Sequence, residues 1–155
     1  MSKIASRIKE LGIELPNAAS PAANYIPFVL SGNQVVISGQ IPFWNGELVG
    51  LGKLGSNLTV GEGAEIARIC ALNLLAQLQV ASGGDLDRVS RVVKLGGFVN
   101  CIDTFTDQPE VINGASDLMV EVFGDIGRHA RFAVGVGSLP RGVAVEVDGV
   151  FELHN

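Results

Sequence analysis

Arg131 and Glu146 each interrupt an alternating apolar run: Arg131 opens residues 131–138 (RFAVGVGS), and Glu146 stands inside residues 143–151 (VAVEVDGVF). Taking an unpaired charge out of water is very costly, so each side chain is either solvated or held for a purpose. The plainest partner for Arg131 is a strand carboxylate, Glu146 or Asp148, in an ion pair that serves the fold alone. His129 beside Arg128 invites a general-base or metal-ligand role. The other histidine is the near-terminal His154 and no Cys/His cluster accompanies the pair, so no metal is expected and His129 reads as a loop residue. Lys53 and Lys94 lack a partner motif that would suggest Schiff-base chemistry. Residues 50–55 spell GLGKLG, a formal match to G-x-G-x-x-G. Residues 56–58 intervene before the next helix start and no βαβ unit surrounds the match, so it reads as a loop rather than a phosphate cradle.

Length and composition bound what these residues could serve. A chain of 155 residues is long enough for one domain with a sizeable core. Its 47% apolar and 17% charged content excludes a disordered chain and leaves much apolar surface to cover, which suits a subunit of an oligomer. A net charge of −5 without a basic run argues against nucleic-acid binding. The longest apolar stretch, residues 69–80, is cut by Asn73, Gln77 and Gln79, and no membrane span is expected. The N-terminal segment is charged and amphipathic, unlike a signal peptide. Cys70 and Cys101 are too few to staple the domain and read as reduced core thiols, which points to the cytoplasm.

The positioning elements follow from periodicity. Ile4, Ile8 and Leu11 fall at helical spacing, with Gly12 able to end the helix. A Pro/Ala/Asn/Ser connector with Pro16 and Pro21 leads to an edge strand at residues 25–30, where Pro27 withholds a ladder donor. Gly32-Asn33 turns into a strand at residues 34–40, and Asn45-Gly46 signals a hairpin into residues 47–49. Thr59 and Glu62 form a capping box that opens a helix to about Ala81. Residues 89–102 alternate as a strand with glycines at 96 and 97. Thr106-Asp107 caps a helix spanning residues 109–123. Gly114 inside that helix either allows close packing or means that the helix starts later, with Asn113 in the preceding loop. Two alternating runs around Leu139-Pro140-Arg141-Gly142 close the chain as a strand–turn–strand unit. The pattern is an α+β sheet with helices on one face, whose other face a dimer or trimer would cover.

Tyr25, the run Ser38-Gly39-Gln40-Ile41-Pro42, then Ala130-Arg131, Leu139-Pro140 and Val145-Glu146-Val147 stand at the spacing of a known group. In these positions the chain resembles the Rid (reactive intermediate deaminase) family, also called YjgF-like, many of whose members carry the label endoribonuclease L-PSP. The resemblance spans nearly everything after about Ala22. It implies a single Rid-like domain over residues 1–155, with residues 1–14 as an N-terminal helical extension. It also implies a chorismate-mutase-like mixed sheet with two helices on one face, and a homotrimer with ligand clefts between subunits.

The activity implied is hydrolysis of enamine and imine acids, such as 2-aminoacrylate and 2-iminopropionate, to a 2-keto acid and ammonia, with no cofactor. Arg131 falls on the family's carboxylate-binding arginine, a role suited to a guanidinium fork. Glu146 falls on its water-holding acid, Tyr25 on its cleft tyrosine and Asn113 on a cleft asparagine, while Gly39 and Ala133 line the same cleft. Phe132 departs from the usual Ser or Thr and implies a more apolar wall beside the carboxylate. Ala133 replaces a cysteine, the segment between Asn113 and Arg131 is a few residues longer, and the N-terminal helix is extra, all marks of a divergent branch. Two alternatives stand beside the deaminase: a non-catalytic trimeric binder of small carboxylates, and a ribonuclease, against which the acidic charge and the missing histidine pair argue.

Overall fold

The computed structural model describes residues 2–20 and 24–155, so Pro21 of the connector lies outside the described residues. Helix α1 is Lys3–Glu10, with the Ser2 hydroxyl accepting from the Ala5 N–H, and Gly12 takes a positive φ just beyond it. Asp87 accepts the Lys3 and Ile4 N–H groups at 2.8 and 2.7 Å, which docks the helix start on the body of the protein. Four strands follow: β1 (Phe28–Ser31), β2 (Gln34–Gln40), β3 (Phe43–Trp44) and β4 (Glu47–Leu48). The pair β3 and β4 is one more strand than the alternation suggested. It closes through Asn45 and Gly46, both at positive φ, as a two-residue hairpin turn requires. Helix α2 (Val60–Ala81) opens on the complete Thr59–Glu62 capping box. Then come β5 (Val89–Asn100), α3 (Gln108–Phe123), β6 (Ala130–Val136) and β7 (Val145–Leu153).

The main sheet runs in the order β1-β2-β7-β5-β6, with β5 and β6 parallel and the other neighbours antiparallel. The expected strand–turn–strand unit is therefore corrected. β6 and β7 run oppositely but do not pair, because α3 is a crossover that lays β6 parallel on the outer edge of β5. The 139–142 turn then carries the chain to the far side of β5. The expected alternation along β5 also breaks. A register shift between Val92 and Lys94 leaves both Val92 and Leu95 buried, which a strict period of two forbids. Asp107 occupies the cap position of α3 without a side-chain capping bond, so that helix start is fixed by Pro109 and by packing rather than by the aspartate.

Helices α2 and α3 cover one face of the sheet, and the core runs from Ile4 through both helices to Leu153. Gly114 lies within α3, and of the two sequence alternatives close packing is the correct one. A methyl group there would overlap the carbonyl oxygen of Ala64 on α2. Gly97 serves α3 in the same way, since a Cβ would sit 2.6 Å from the Ile112 side chain. The opposite face of the sheet has no covering element among the described residues. It presents Val29, Val36 and Val134 at 48, 42 and 43% exposure, with Phe98 and Phe132 half-buried between them. No helix among the described residues is long and apolar enough to cross a membrane.

Because backbone cannot yield as a side-chain tip can, Gly114→Ala is expected to lower unfolding free energy by about 2–3 kcal/mol. Gly137→Ala, which meets nothing within 4 Å, should stay within about 0.5 kcal/mol of wild type. Chemical denaturation of the two variants measures the difference.

Candidate functional site

Arg131 projects from edge strand β6 toward α3. Cross-strand pairing places it with Leu95 and Gly149, on the face that the helices cover. Its Nη1 donates to Asn113 Oδ1 at 2.8 Å and to Ser116 Oγ at 3.1 Å, and its Nη2 donates to the Pro109 carbonyl at 3.4 Å. Pro109, Asn113 and Ser116 lie at i, i+4 and i+7, which is one stripe of a helix. Nη1 thereby makes two donations and Nη2 one; among the described residues Nε–H meets no acceptor, and with the second Nη2–H it offers a fork to a planar anion. Asn113 is helical and exposed, with its side-chain oxygen turned to the guanidinium. Ala133 follows two residues later on the same face, half-buried against the core.

The ion pair of Arg131 with Glu146 or Asp148 does not form. Both carboxylates point to the other face of the sheet, where Glu146 is level with Phe98 and Val134, and Asp148 with Gly96 and Phe132. Phe132 goes there too, so within one copy it is not a wall beside Arg131. Its ring meets Phe98 edge-on with centroids 5.2 Å apart, and Lys94 Nζ lies 5.4 Å above it.

Glu146 is half-buried, and Gly39 is what gives its carboxylate room. A register shift in β2 between Ile37 and Gln40 brings Gly39 alongside, and a Cβ there would stand 3.0 Å from Glu146 Cδ. Burial first, then the Asp148 carboxylate, pushes Glu146 above the usual carboxylate range. Burial raises Asp148 as well, opposed by the Gly96 backbone and by the Lys94 charge. Glu146 opens into a cavity of about 700 Å³ lined also by Tyr25, Gly39, Gln40, Phe43 and Arg141. Tyr25 is 56% exposed at its rim.

Several residues that shape this cavity carried no functional signal in the sequence. Asn73 and Gln77, which only interrupted an apolar helix there, are both buried; Asn73 donates to the Phe43 carbonyl at 2.7 Å and Gln77 to the Ala19 carbonyl at 3.0 Å. Together they fasten the β3–β4 hairpin and the N-terminal connector as cavity walls. Arg141 holds φ +59°, a left-handed conformation unusual outside glycine, at the turn beside Glu146. The GLGKLG loop is structural: Lys53 Nζ donates to Asn100 Oδ1 at 2.8 Å and to the Gly137 carbonyl at 2.6 Å, so its ammonium is spent on its own chain. His129 lies in the loop before β6, and Cys70 and Cys101 are buried and unbridged.

The raised carboxyl of Glu146 sets a sign for stability. A folded state that binds the proton more tightly than the unfolded chain is most favoured at low pH and loses that advantage as pH rises through the folded pKa. Glu146→Gln removes the loss. It should melt at or above the wild-type temperature at about pH 7, the two converging toward about pH 4. Thermal melts across that range check it, and a variant equally destabilised at both ends would show that burial of the ionised group costs nothing.

Residues 5–147 match the family described as "YjgF/chorismate_mutase-like, putative endoribonuclease". Protein TCP17 of Trypanosoma cruzi is 54% identical over 154 residues, covering 99% of this chain and 96% of that protein. A 2-iminobutanoate/2-iminopropanoate deaminase of Dermatophagoides farinae is 30% identical over 138 residues, covering 89% of this chain and 92% of that protein. The crystal structure of Atu1372, a protein with unknown function from Agrobacterium tumefaciens, superposes with a TM-score of 0.90 at 45% identity, covering 98% of this chain and 94% of that one. Sequence motif, sheet order and these likenesses agree: the chain belongs to the YjgF/chorismate-mutase-like family, the Rid proteins among its relatives.

Proposed function

We propose that the chain hydrolyses reactive 2-imino acids and their enamine tautomers to 2-oxo acids and ammonia. It does so as a cytoplasmic homotrimer with three clefts between copies. One observation carries the reading: a guanidinium with a free fork and a half-buried carboxylate with a raised pKa stand on opposite faces of the same sheet. A single copy cannot aim both at one small molecule. A head-to-tail ring can, because the β6 edge of each copy then meets the Glu146 cavity of the next. The same ring covers the apolar face around Val29, Val36 and Val134. A relative named as an imine deaminase supports the chemistry.

The steps follow from the groups. The Nε/Nη2 fork of Arg131 grips the substrate carboxylate and fixes the imine carbon near the cavity of the adjoining copy. Glu146 takes a proton from a water held against it while that water's oxygen bonds to the carbon of the protonated imine, whose π electrons pass to the nitrogen as a lone pair. In the resulting 2-amino-2-hydroxy acid the C–N bond breaks, the nitrogen leaving as ammonia with the proton that Glu146 returns. Loss of the hydroxyl proton completes the 2-oxo acid. An enamine enters the same sequence after protonation at its terminal carbon. A carboxyl poised above the ordinary range suits a group that must both accept and return a proton near neutrality. Tyr25 sits where its hydroxyl can meet the substrate or the water.

Ammonia release from enzymatically generated 2-iminopropionate tests the reading. Wild type should exceed the buffer rate. Arg131→Ala should lose about 10²-fold or more in kcat/KM, given about 1.5–3 kcal/mol for each bond to a charged group. Glu146→Gln should lose about 10²–10⁴-fold in kcat. A wild type no faster than buffer, yet binding a 2-oxo acid in calorimetry, would instead identify a carboxylate-binding protein without turnover.

A further inference from the structure

Behind the Arg131 clamp lies a chain of hydrogen bonds that the deaminase reading does not use. Ser116 Oγ stands 3.1 Å from Arg131 Nη1 and 2.9 Å from His129 Nε2, and His129 Nδ1 stands 2.6 Å from the Gly127 carbonyl. We propose that Ser116 and His129 are positioning residues that aim the Arg131 guanidinium and keep its Nε/Nη2 fork turned outward. The proposal rests on the carboxylate-clamp reading of Arg131 given above.

The proton bookkeeping is determined by the partners. A carbonyl oxygen only accepts, so Nδ1 carries the imidazole proton and donates to Gly127. Burial, opposed by that bond and aided by the nearby Arg131 charge, lowers His129 below its ordinary value, so the ring is neutral at neutral pH. Its Nε2 is then an acceptor, which draws the Ser116 hydroxyl proton toward it. That orientation leaves the Ser116 lone pairs facing the Arg131 N–H. A helical serine commonly turns its hydroxyl back to a carbonyl four residues earlier. Ser116 makes no such bond among the described residues and is committed sideways instead.

Protonation of His129 would reverse the arrangement. Nε2 becomes a donor, and N–H groups from two cations then converge on one hydroxyl oxygen. Among the described residues the ring meets Arg131 from β6, Ser116 from α3, and the Gly127 carbonyl from the turn before β6. The adjoining Asp125 and Arg128 are exposed and lie 4.0 Å from each other. A positioning role therefore weakens carboxylate binding in acid, whereas a cation that merely attracts the ligand would strengthen it.

Calorimetric binding of pyruvate, a stable 2-oxo monocarboxylate, to the purified protein separates the cases. Ser116→Ala is expected to weaken binding about tenfold, and Ser116→Thr, which keeps the hydroxyl, to restore most of it. Wild-type affinity should fall as pH drops through the His129 titration below about 6.5, and this fall should be absent in His129→Gln, whose amide oxygen still accepts from Ser116. Glu146 and Asp148 titrate in both proteins, so the difference between the two profiles isolates His129. The proposal is overturned if Ser116→Ala binds as wild type, or if acid tightens binding through His129. If Arg131→Ala itself binds pyruvate as wild type does, the clamp reading fails and this inference with it; loss of binding in Arg131→Ala alone sinks only the inference.

Discussion

A pleated strand sends alternate residues to opposite faces, and across β6, β5 and β7 that geometry separates the two charges that matter. Arg131 is level with Leu95 and Gly149 on the helix-covered face, and Glu146 is level with Phe98 and Val134 on the open one. Moving Glu146 to the other face would require a one-residue slip of β7, which would turn the buried Val145, Val147 and Phe151 outward. Moving Arg131 would require the same of β6 and would cost its bonds to Pro109, Asn113 and Ser116 on α3. Two surfaces result: a guanidinium held by α3, and a cavity with a carboxylate that burial makes harder to ionise.

Each surface is built by residues whose first duty is structural. Gly114 lets α3 approach α2 closely, and the exposed stripe of the same helix then presents Pro109, Asn113 and Ser116 to Arg131. Gly39 and the bulge around it give the Glu146 carboxylate its place, while Asn73 and Gln77 on α2 fix the cavity wall by bonds to Phe43 and Ala19. Neutral acceptors hold the Arg131 guanidinium, and among the described residues no carboxylate pairs with it, so its charge is not neutralised within the copy. The open face carries the Glu146–Asp148 pair and the exposed valines, which the proposed ring would cover.

Much of this was legible in the residues. The capping box at Thr59, the Asn45-Gly46 turn and the helical spacing in residues 3–11 are local signals, and each appears where spacing placed it. The alternation of the last two runs gave two strands but not their neighbours, since pairing is settled by the α3 crossover and not by the turn between them. The β5 register shift was invisible because a bulge leaves composition unchanged. The motif positions of Arg131 and Glu146 were legible, yet their opposite faces were not, for that needs the registers of three strands at once. Asn73 and Gln77 gave no sign, as their partners Phe43 and Ala19 lie far away in the chain. Gly114 was legible as an anomaly, and the anomaly marked a close approach of α3 to α2.

In the proposed ring one catalytic cleft takes Arg131 from one copy and Glu146 from another. The most direct measurement mixes Arg131→Ala and Glu146→Gln proteins, unfolds and refolds them together, and follows ammonia release from 2-iminopropionate. Random assembly into rings should leave about one quarter of the clefts with both native groups, and about that share of wild-type activity should return. A mixture as inactive as its parents, beside wild type that recovers fully through the same treatment, would contradict the claim.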